Sequence, residues 1–195
     1  MIEVYLRPFY QTYLINPIAR RIPFTPQSIT LSACLTGISV APVLIFHFSI
    51  LAIVLLLISG LLDMLDGSVG RMKNSISNLG SALDIISDRI VEFAVIMGLF
   101  LVAPAEHALG ALLMLGSCYL CITCFLVVGI FTPNHSEKGF HYNPGLIERA
   151  EVFVFFIVMI IWPQYFSWLA GLFTVLVLLT GYLHIKQYVV FDRAE

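Results

Sequence analysis

Asp63-Met-Leu-Asp66-Gly67-Ser-Val-Gly70-Arg71, then eight residues, Gly80, three residues, Asp84, three residues and Asp88: this stretch decides how the chain folds. From Leu62 to Phe93 it gathers Asp63, Asp66, Arg71, Lys73, Asp84, Asp88, Arg89 and Glu92 within surroundings that are otherwise mostly apolar. Asp63 and Asp66 are three apart and Asp84 and Asp88 four apart, and either spacing puts a helical pair on one face. A carboxylate in a bilayer costs about 2.5–3.5 kcal/mol even on a lenient insertion scale. Arg71, Lys73 and Arg89 do not cancel four aspartates once Glu92 is counted. The spacing therefore predicts two neighbouring helices joined by a turning connection, Gly67 to Leu79, with four carboxylates converging on divalent cations. An oxygen-rich site suits Mg²⁺ or Mn²⁺ rather than zinc, and a pair of such ions can clamp an in-line phosphoryl displacement. Gly67 follows a candidate ligand, where a side chain would crowd an approaching phosphate. Gly80 leaves room for a flat base or a sugar, and Arg71 offers a fork of donors to phosphate oxygens. The chemistry expected is phosphoryl transfer from a nucleotide-activated donor at a membrane surface. Intramembrane carboxylates also build proton relays and paired helix contacts, so a transporter remains the reading from another class.

Outside this stretch the chain is that of an integral membrane protein. Of its 195 residues 59% are apolar and 11% charged, against about 25% charged in a soluble domain, and the mean hydropathy is +0.96. Six spans of roughly 20 residues fit this length. Apolar runs and their breakers place them at about Ile29–Phe46, Phe48–Asp66, Gly80–Val102, Ala108–Phe131, Leu146–Trp162 and Tyr165–Tyr188. The expected fold is all-α: one membrane domain over 1–195, with residues 1–24 as an interfacial amphipathic segment and 25–190 as a six-helix bundle. Met1 to Pro23 mixes aromatics with Arg7, Arg20 and Arg21 and lacks the pattern of a cleaved leader. All ten Lys and Arg residues fall before span one, between spans two and three or early in span three, around the connection from four to five, or after span six. By the positive-inside rule both termini and the aspartates face the cytoplasm. Cys118, Cys121 and Cys124 lie inside an apolar span and, with Cys34, read as small packing residues. The two halves show no matching Gly/Pro-broken spans, which weakens the transporter reading.

The residues quoted at the outset resemble the CDP-alcohol phosphotransferase signature, D-x2-D-G-x2-A-R-x8-G-x3-D-x3-D. Every spacing agrees, and the one departure is Gly70 in place of alanine. The resemblance implies transfer of a phosphoalcohol group from a CDP-linked donor to a hydroxyl, with release of CMP. It implies two divalent ions, Mg²⁺ or Mn²⁺, on Asp63, Asp66, Asp84 and Asp88, with Asp88 as general base. It implies a CDP site lined by Asp66, Gly67, Arg71 and Gly80. Thr25-Pro26-Gln-Ser-Ile-Thr30 is similar to the family's P-N-x-[LI]-T opening of the first span, with Gln27 for the usual Asn, which adds Thr30 to that site. Family members are typically homodimers, and no nucleic-acid partner is expected.

The segment Gly145-Leu-Ile-Glu148-Arg149-Ala-Glu151 resembles the Gly-Leu-x-x-Arg-x-Glu segment of bacterial and archaeal members that use inositol phosphate. Arg149, Lys138 and Arg89 are the candidates for holding an acceptor's phosphate. Equally, Lys138 and Arg149 obey the positive-inside rule, Glu148 and Glu151 suit a helix N-terminus, and Arg89 suits a pair with Glu92. The activity expected is phosphatidyl transfer from CDP-diacylglycerol to a small polar alcohol such as inositol phosphate or glycerol phosphate, in a bacterial or archaeal cell membrane. The alternative within the family is an aminoalcohol phosphotransferase that uses CDP-choline or CDP-ethanolamine and diacylglycerol.

Overall fold

The structure, a computed structural model, describes residue 11 and residues 15–73, 77–132 and 145–192. Among the described residues all regular structure is helical: α1 (Asn16–Ala19), α2 (Pro26–Ile38), α3 (Val40–Ile45), α4 (Ser49–Met72), α5 (Asn78–Val102), α6 (Pro104–Phe131), α7 (Arg149–Ile161), a 3₁₀ turn (Pro163–Tyr165) and α8 (Phe166–Asp192). The chain divides into two compact units, residues 2–102 and 103–195, each described by itself.

Local chemistry sets the helix ends. Thr25 caps α2 by accepting from the Ser28 N–H at 3.4 Å, and Pro26 opens the first turn with a fixed φ. Ser39 alone separates α2 from α3, and His47, with φ of 60°, lies in the turn that leads into α4. Ser77 caps α5, its Oγ accepting from the Gly80 N–H at 3.0 Å. Glu148 and Glu151 form a reciprocal capping box at the start of α7. Acids at a helix N-terminus are therefore what these two glutamates are.

In the first unit α2 and α3 pack across α4 and α5, and α1 lies on α4. Below the aspartates, Ile15, Ala19 and Ile29 close over Leu65 and Val69. Ser59 donates to the Ala33 carbonyl at 2.8 Å, a hydrogen bond between α4 and α2 where no water competes. Gly37 faces the same seam. A Cβ there would lie 2.5 and 2.7 Å from the Val91 methyls and 2.9 Å from Ser59 Oγ. A β-branched neighbour on a packed helix has little room to give, so Gly37→Ala is expected to cost about 1–3 kcal/mol, read as a lower thermal midpoint in detergent. In the second unit α6 runs along α8, and α7 packs on α8. Large apolar side chains such as Ile50, Leu57, Leu109, Leu112 and Trp168 cover the outside, while Thr30, Ser59, Asp66, Ser68 and Glu92 are inside. That inversion suits lipid as the surrounding solvent.

Among the described residues, four helical stretches are long and apolar enough to cross a membrane: Pro26–Ile45, Ser49–Met72, Pro104–Phe131 and Pro163–Val190. The protein is thus an all-α integral membrane protein. At 25 residues α5 has the length of a span, but it carries Asp84, Asp88, Arg89 and Glu92; α7 has 13 residues. Most of the interfacial segment expected over 1–24 lies outside the described residues. Its described end, residues 15–24, buries Ile15 and Ala19 and leaves Arg20 and Arg21 exposed.

One expectation is corrected. Gly67 to Leu79 is not a turning connection throughout, because α4 continues to Met72 and α5 begins at Asn78. Two interior glycines cost about 1 kcal/mol each relative to alanine, but ending the helix at Asp66 would strip partners from backbone groups at the membrane edge, where each loss costs more. Gly67, Gly70 and Arg71 are therefore helical residues.

Candidate active site

The extension of α4 builds the site. Asp63 and Asp66 project from one face of α4, and Asp84 comes from the second turn of α5. A carboxylate oxygen from each of the three lies within 4.8 Å of those of the others. At an effective dielectric of about 20, two unit charges that close repel by about 3–4 kcal/mol before screening. Asp66 is buried at 6% exposure and its two neighbours are half-buried, so water cannot dissolve the repulsion fully. The donor set is all oxygen and strongly anionic, and it fits a hard divalent cation.

Asp88 follows Asp84 by one turn on α5, is half-buried, and stands outside the 4.8 Å set. Thr30, from the second turn of α2, places its Oγ1 2.5 Å from Asp66 Oδ2 and 3.0 Å from the Pro26 carbonyl. A hydroxyl has one proton, and the nearer, charged acceptor takes it.

Arg71, in the last turn of α4, is exposed and donates through Nη2 to Ser68 Oγ at 3.2 Å. Its Nη1 lies 3.5 Å from where a Cβ on Gly67 would sit, so the guanidinium runs alongside the exposed Gly67 backbone. Alanine at Gly67 would thus make only ordinary contact with the protein. Lys73 turns the other way, its Nζ donating to the Phe24 carbonyl at 2.8 Å and reaching the Pro23 carbonyl at 3.4 Å. It ties the end of α4 to the segment entering α2. Gly80 is in the first turn of α5 beside its cap, Ser77.

Gly70 is buried, and a Cβ there would meet Pro26 at 3.9–4.0 Å, an ordinary contact. The alanine of the recognised pattern fits without adjustment. Gly70→Ala is expected to raise stability by about 0.5–1 kcal/mol through helix propensity, seen as a higher thermal midpoint with turnover preserved.

Of the three acceptor candidates, Arg89 is held by Glu92, Nη1 to Oε2 at 2.6 Å, which gives this buried glutamate its counter-charge. Arg149 opens α7 in the second unit with its guanidinium 5.4 Å from the centre of the Phe153 ring. Lys138 lies outside the described residues. From the sequence Ser68 is expected only as part of a turning connection and Lys73 only as partial counter-charge to the aspartates. Once α4 is known to continue, the i,i+3 spacing of Ser68 and Arg71 is the signal that pairs them.

With this geometry in place, comparison with known proteins is decisive. The sequence profile of CDP-alcohol phosphatidyltransferase matches residues 24–183. The chain belongs to this family. Inner membrane protein YnjF of Escherichia coli is 31% identical over 177 residues, covering 84% of this chain and 85% of its own. Phosphatidylinositol phosphate synthase of Mycobacteroides abscessus is 26% identical over 71% of this chain and 64% of its own length. Archaetidylinositol phosphate synthase of Aeropyrum pernix is 29% identical over 75% and 73%. The crystal structure of Mycobacterium tuberculosis phosphatidylinositol phosphate synthase with CDP-DAG bound has the same fold, with a TM-score of 0.70 at 20% identity, over 90% of this chain and 93% of that one. The same enzyme in complex with manganese and citrate gives a TM-score of 0.71 at 21% identity, over 90% and 88%. As a member of the CDP-alcohol phosphatidyltransferase family the protein is a transferase.

Proposed function

We propose that this transferase moves a phosphatidyl group from CDP-diacylglycerol to a small phosphorylated alcohol of the inositol phosphate class and releases CMP. The observation that carries it is the meeting of Asp63, Asp66 and Asp84 from two helices within 4.8 Å, on the spacing that marks CDP-linked chemistry. Asp63, Asp66, Asp84 and Asp88 hold the divalent ions, which when bound supply positive charge against the donor pyrophosphate. Arg71 receives a donor phosphate oxygen over the bare Gly67 backbone, and Gly80 leaves space for the nucleoside. Thr30 fixes the rotamer of Asp66. Asp88 takes the proton of the acceptor hydroxyl; that oxygen bonds to the phosphorus bearing the diacylglycerol, and the P–O bond to CMP breaks.

The acceptor class rests on two supports. Two of the relatives are named for inositol phosphate products, and Arg149 sits behind the capping box in the segment that resembles theirs. Within this reading the chain is one domain of six membrane-crossing helices, with α5 and α7 completing the four apolar spans. Both termini and the site face the cytoplasm, in a bacterial inner membrane, and the protein works as a homodimer.

Purified protein given CDP-diacylglycerol, Mn²⁺ or Mg²⁺ and a panel of inositol, inositol phosphate, glycerol phosphate, serine and diacylglycerol tests the substrate assignment. The expected result is CMP release that depends on metal and is greatest with inositol phosphate. Preference for an unphosphorylated acceptor overturns it. Arg149→Ala is expected to raise the acceptor KM about tenfold, the worth of one charge-assisted hydrogen bond, with the donor KM unmoved. An unchanged acceptor KM removes Arg149 from the pocket.

A further inference from the structure

Ser68 occupies one of the two open positions between Gly67 and Gly70, where the family pattern asks for no particular residue. Its side chain is nonetheless at a junction. It is 1% exposed, and its Oγ donates to the Met64 carbonyl at 2.9 Å, accepts from Arg71 Nη2 at 3.2 Å and accepts from Gln11 Nε2 at 2.8 Å. The single hydroxyl proton goes to a backbone carbonyl that can only accept, so both lone pairs face donors. Gln11 comes from the N-terminal segment, 57 residues away in sequence.

Arg71 is exposed, and an exposed arginine explores many rotamers unless something holds it. Ser68 Oγ accepts from its Nη2 at 3.2 Å, and this neutral oxygen brings no charge of its own to the contact. The same contact lays the guanidinium alongside Gly67, whose missing side chain opens the approach. Gln11 fills the other lone pair of that oxygen.

We propose that Ser68, backed by Gln11, is a positioning residue that presets Arg71 for a phosphate of the CDP-linked donor. This rests on the assignment of Arg71 to the donor site. The test is steady-state kinetics on full-length Ser68→Ala, Gln11→Ala, Ser68→Thr, Arg71→Ala and the double variant Ser68→Ala/Arg71→Ala, with Mn²⁺ affinity by electron paramagnetic resonance and thermal midpoints alongside. Ser68→Ala is expected to raise the KM for CDP-diacylglycerol about five- to tenfold, as loss of one ordinary hydrogen bond does. Gln11→Ala gives a smaller rise in the same direction. Acceptor KM and Mn²⁺ affinity stay at wild-type values, which a general loosening of α4 would not allow. Ser68→Thr, which keeps the hydroxyl, restores the donor KM. In the Arg71→Ala background Ser68→Ala adds nothing, because the group it positions is gone. If Arg71→Ala raises the donor KM while Ser68→Ala does not, or if the two effects simply add, the positioning role is overturned and the donor site stands. If Arg71→Ala leaves the donor KM unmoved, the donor site falls, and the positioning role with it.

Discussion

Asp66→Asn abolishes CMP release, by about 10³-fold or more, since a lost metal ligand forfeits several kcal/mol of charge stabilisation and each 1.4 kcal/mol is tenfold in rate. The substitution is nearly isosteric, and the Asn carbonyl can still accept from Thr30, which now sits 2.5 Å from Oδ2. What changes is charge. Asp66 is the most buried member of a group whose oxygens lie within 4.8 Å of one another, so it contributes the charge that water screens least. Manganese titration followed by electron paramagnetic resonance should show affinity falling along with turnover. Stability should move the opposite way. In chelator, with no cation present, one carboxylate fewer relieves the repulsion among Asp63, Asp66 and Asp84, and the thermal midpoint of Asp66→Asn should equal or exceed that of the wild type. Metal added back should stabilise the wild type far more than the variant, as a ligand that binds the folded state must. A variant that loses activity and also unfolds earlier in chelator would make Asp66 a structural residue and remove the triad as a metal site.

The carboxylates were legible because charge in an apolar chain is expensive and therefore conspicuous. Spacings of three and four residues reported helical faces directly, and Asp63, Asp66 and Asp84 do meet. Thr30 was legible only through the likeness of Thr25-Pro26-Gln-Ser-Ile-Thr30 to a known opening; nothing in its composition points to Asp66. The run Gly67-Ser-Val-Gly70 misled, because glycine and serine read as a loop by local propensity. The helix continues through it since backbone satisfaction near lipid outweighs the propensity cost. That single difference hid the junction of Ser68 with Arg71, which exists only on a helix. The break at Ser39 had its signal in Pro42, which has no N–H for the Ile38 carbonyl, whereas nothing in the sequence announced the reversal at His47. At Arg89 an aspartate, Glu92 and a phosphate were all open as partners, and in the folded chain its Nη1 lies 2.6 Å from Glu92 Oε2.

Asp88→Asn separates proton transfer from the binding of the first cation. Asp88 shares a face of α5 with Asp84 but lies one turn on, outside the set of three oxygens that crowd together. Removing it leaves Asp63, Asp66 and Asp84 intact, so tight binding of one Mn²⁺ should survive, with stoichiometry falling from two to one. Turnover should nevertheless drop by about 10²–10⁴-fold, the usual worth of a general base. The donor KM should change less than in Asp66→Asn, because the proposed donor contacts of Arg71 and of the cation on the triad would remain. Asn cannot accept the hydroxyl proton, so an acceptor of more acidic hydroxyl should recover part of the rate in Asp88→Asn and gain less in the wild type. Near-normal turnover with metal content unchanged would strip Asp88 of both roles and leave the proton to another group. A loss of all bound Mn²⁺ would instead make Asp88 a primary ligand and merge its effect with that of Asp66→Asn. The two substitutions should thus differ in a measurable way: Asp66→Asn is expected to lose cation binding together with turnover, and Asp88→Asn to lose turnover while one cation is kept.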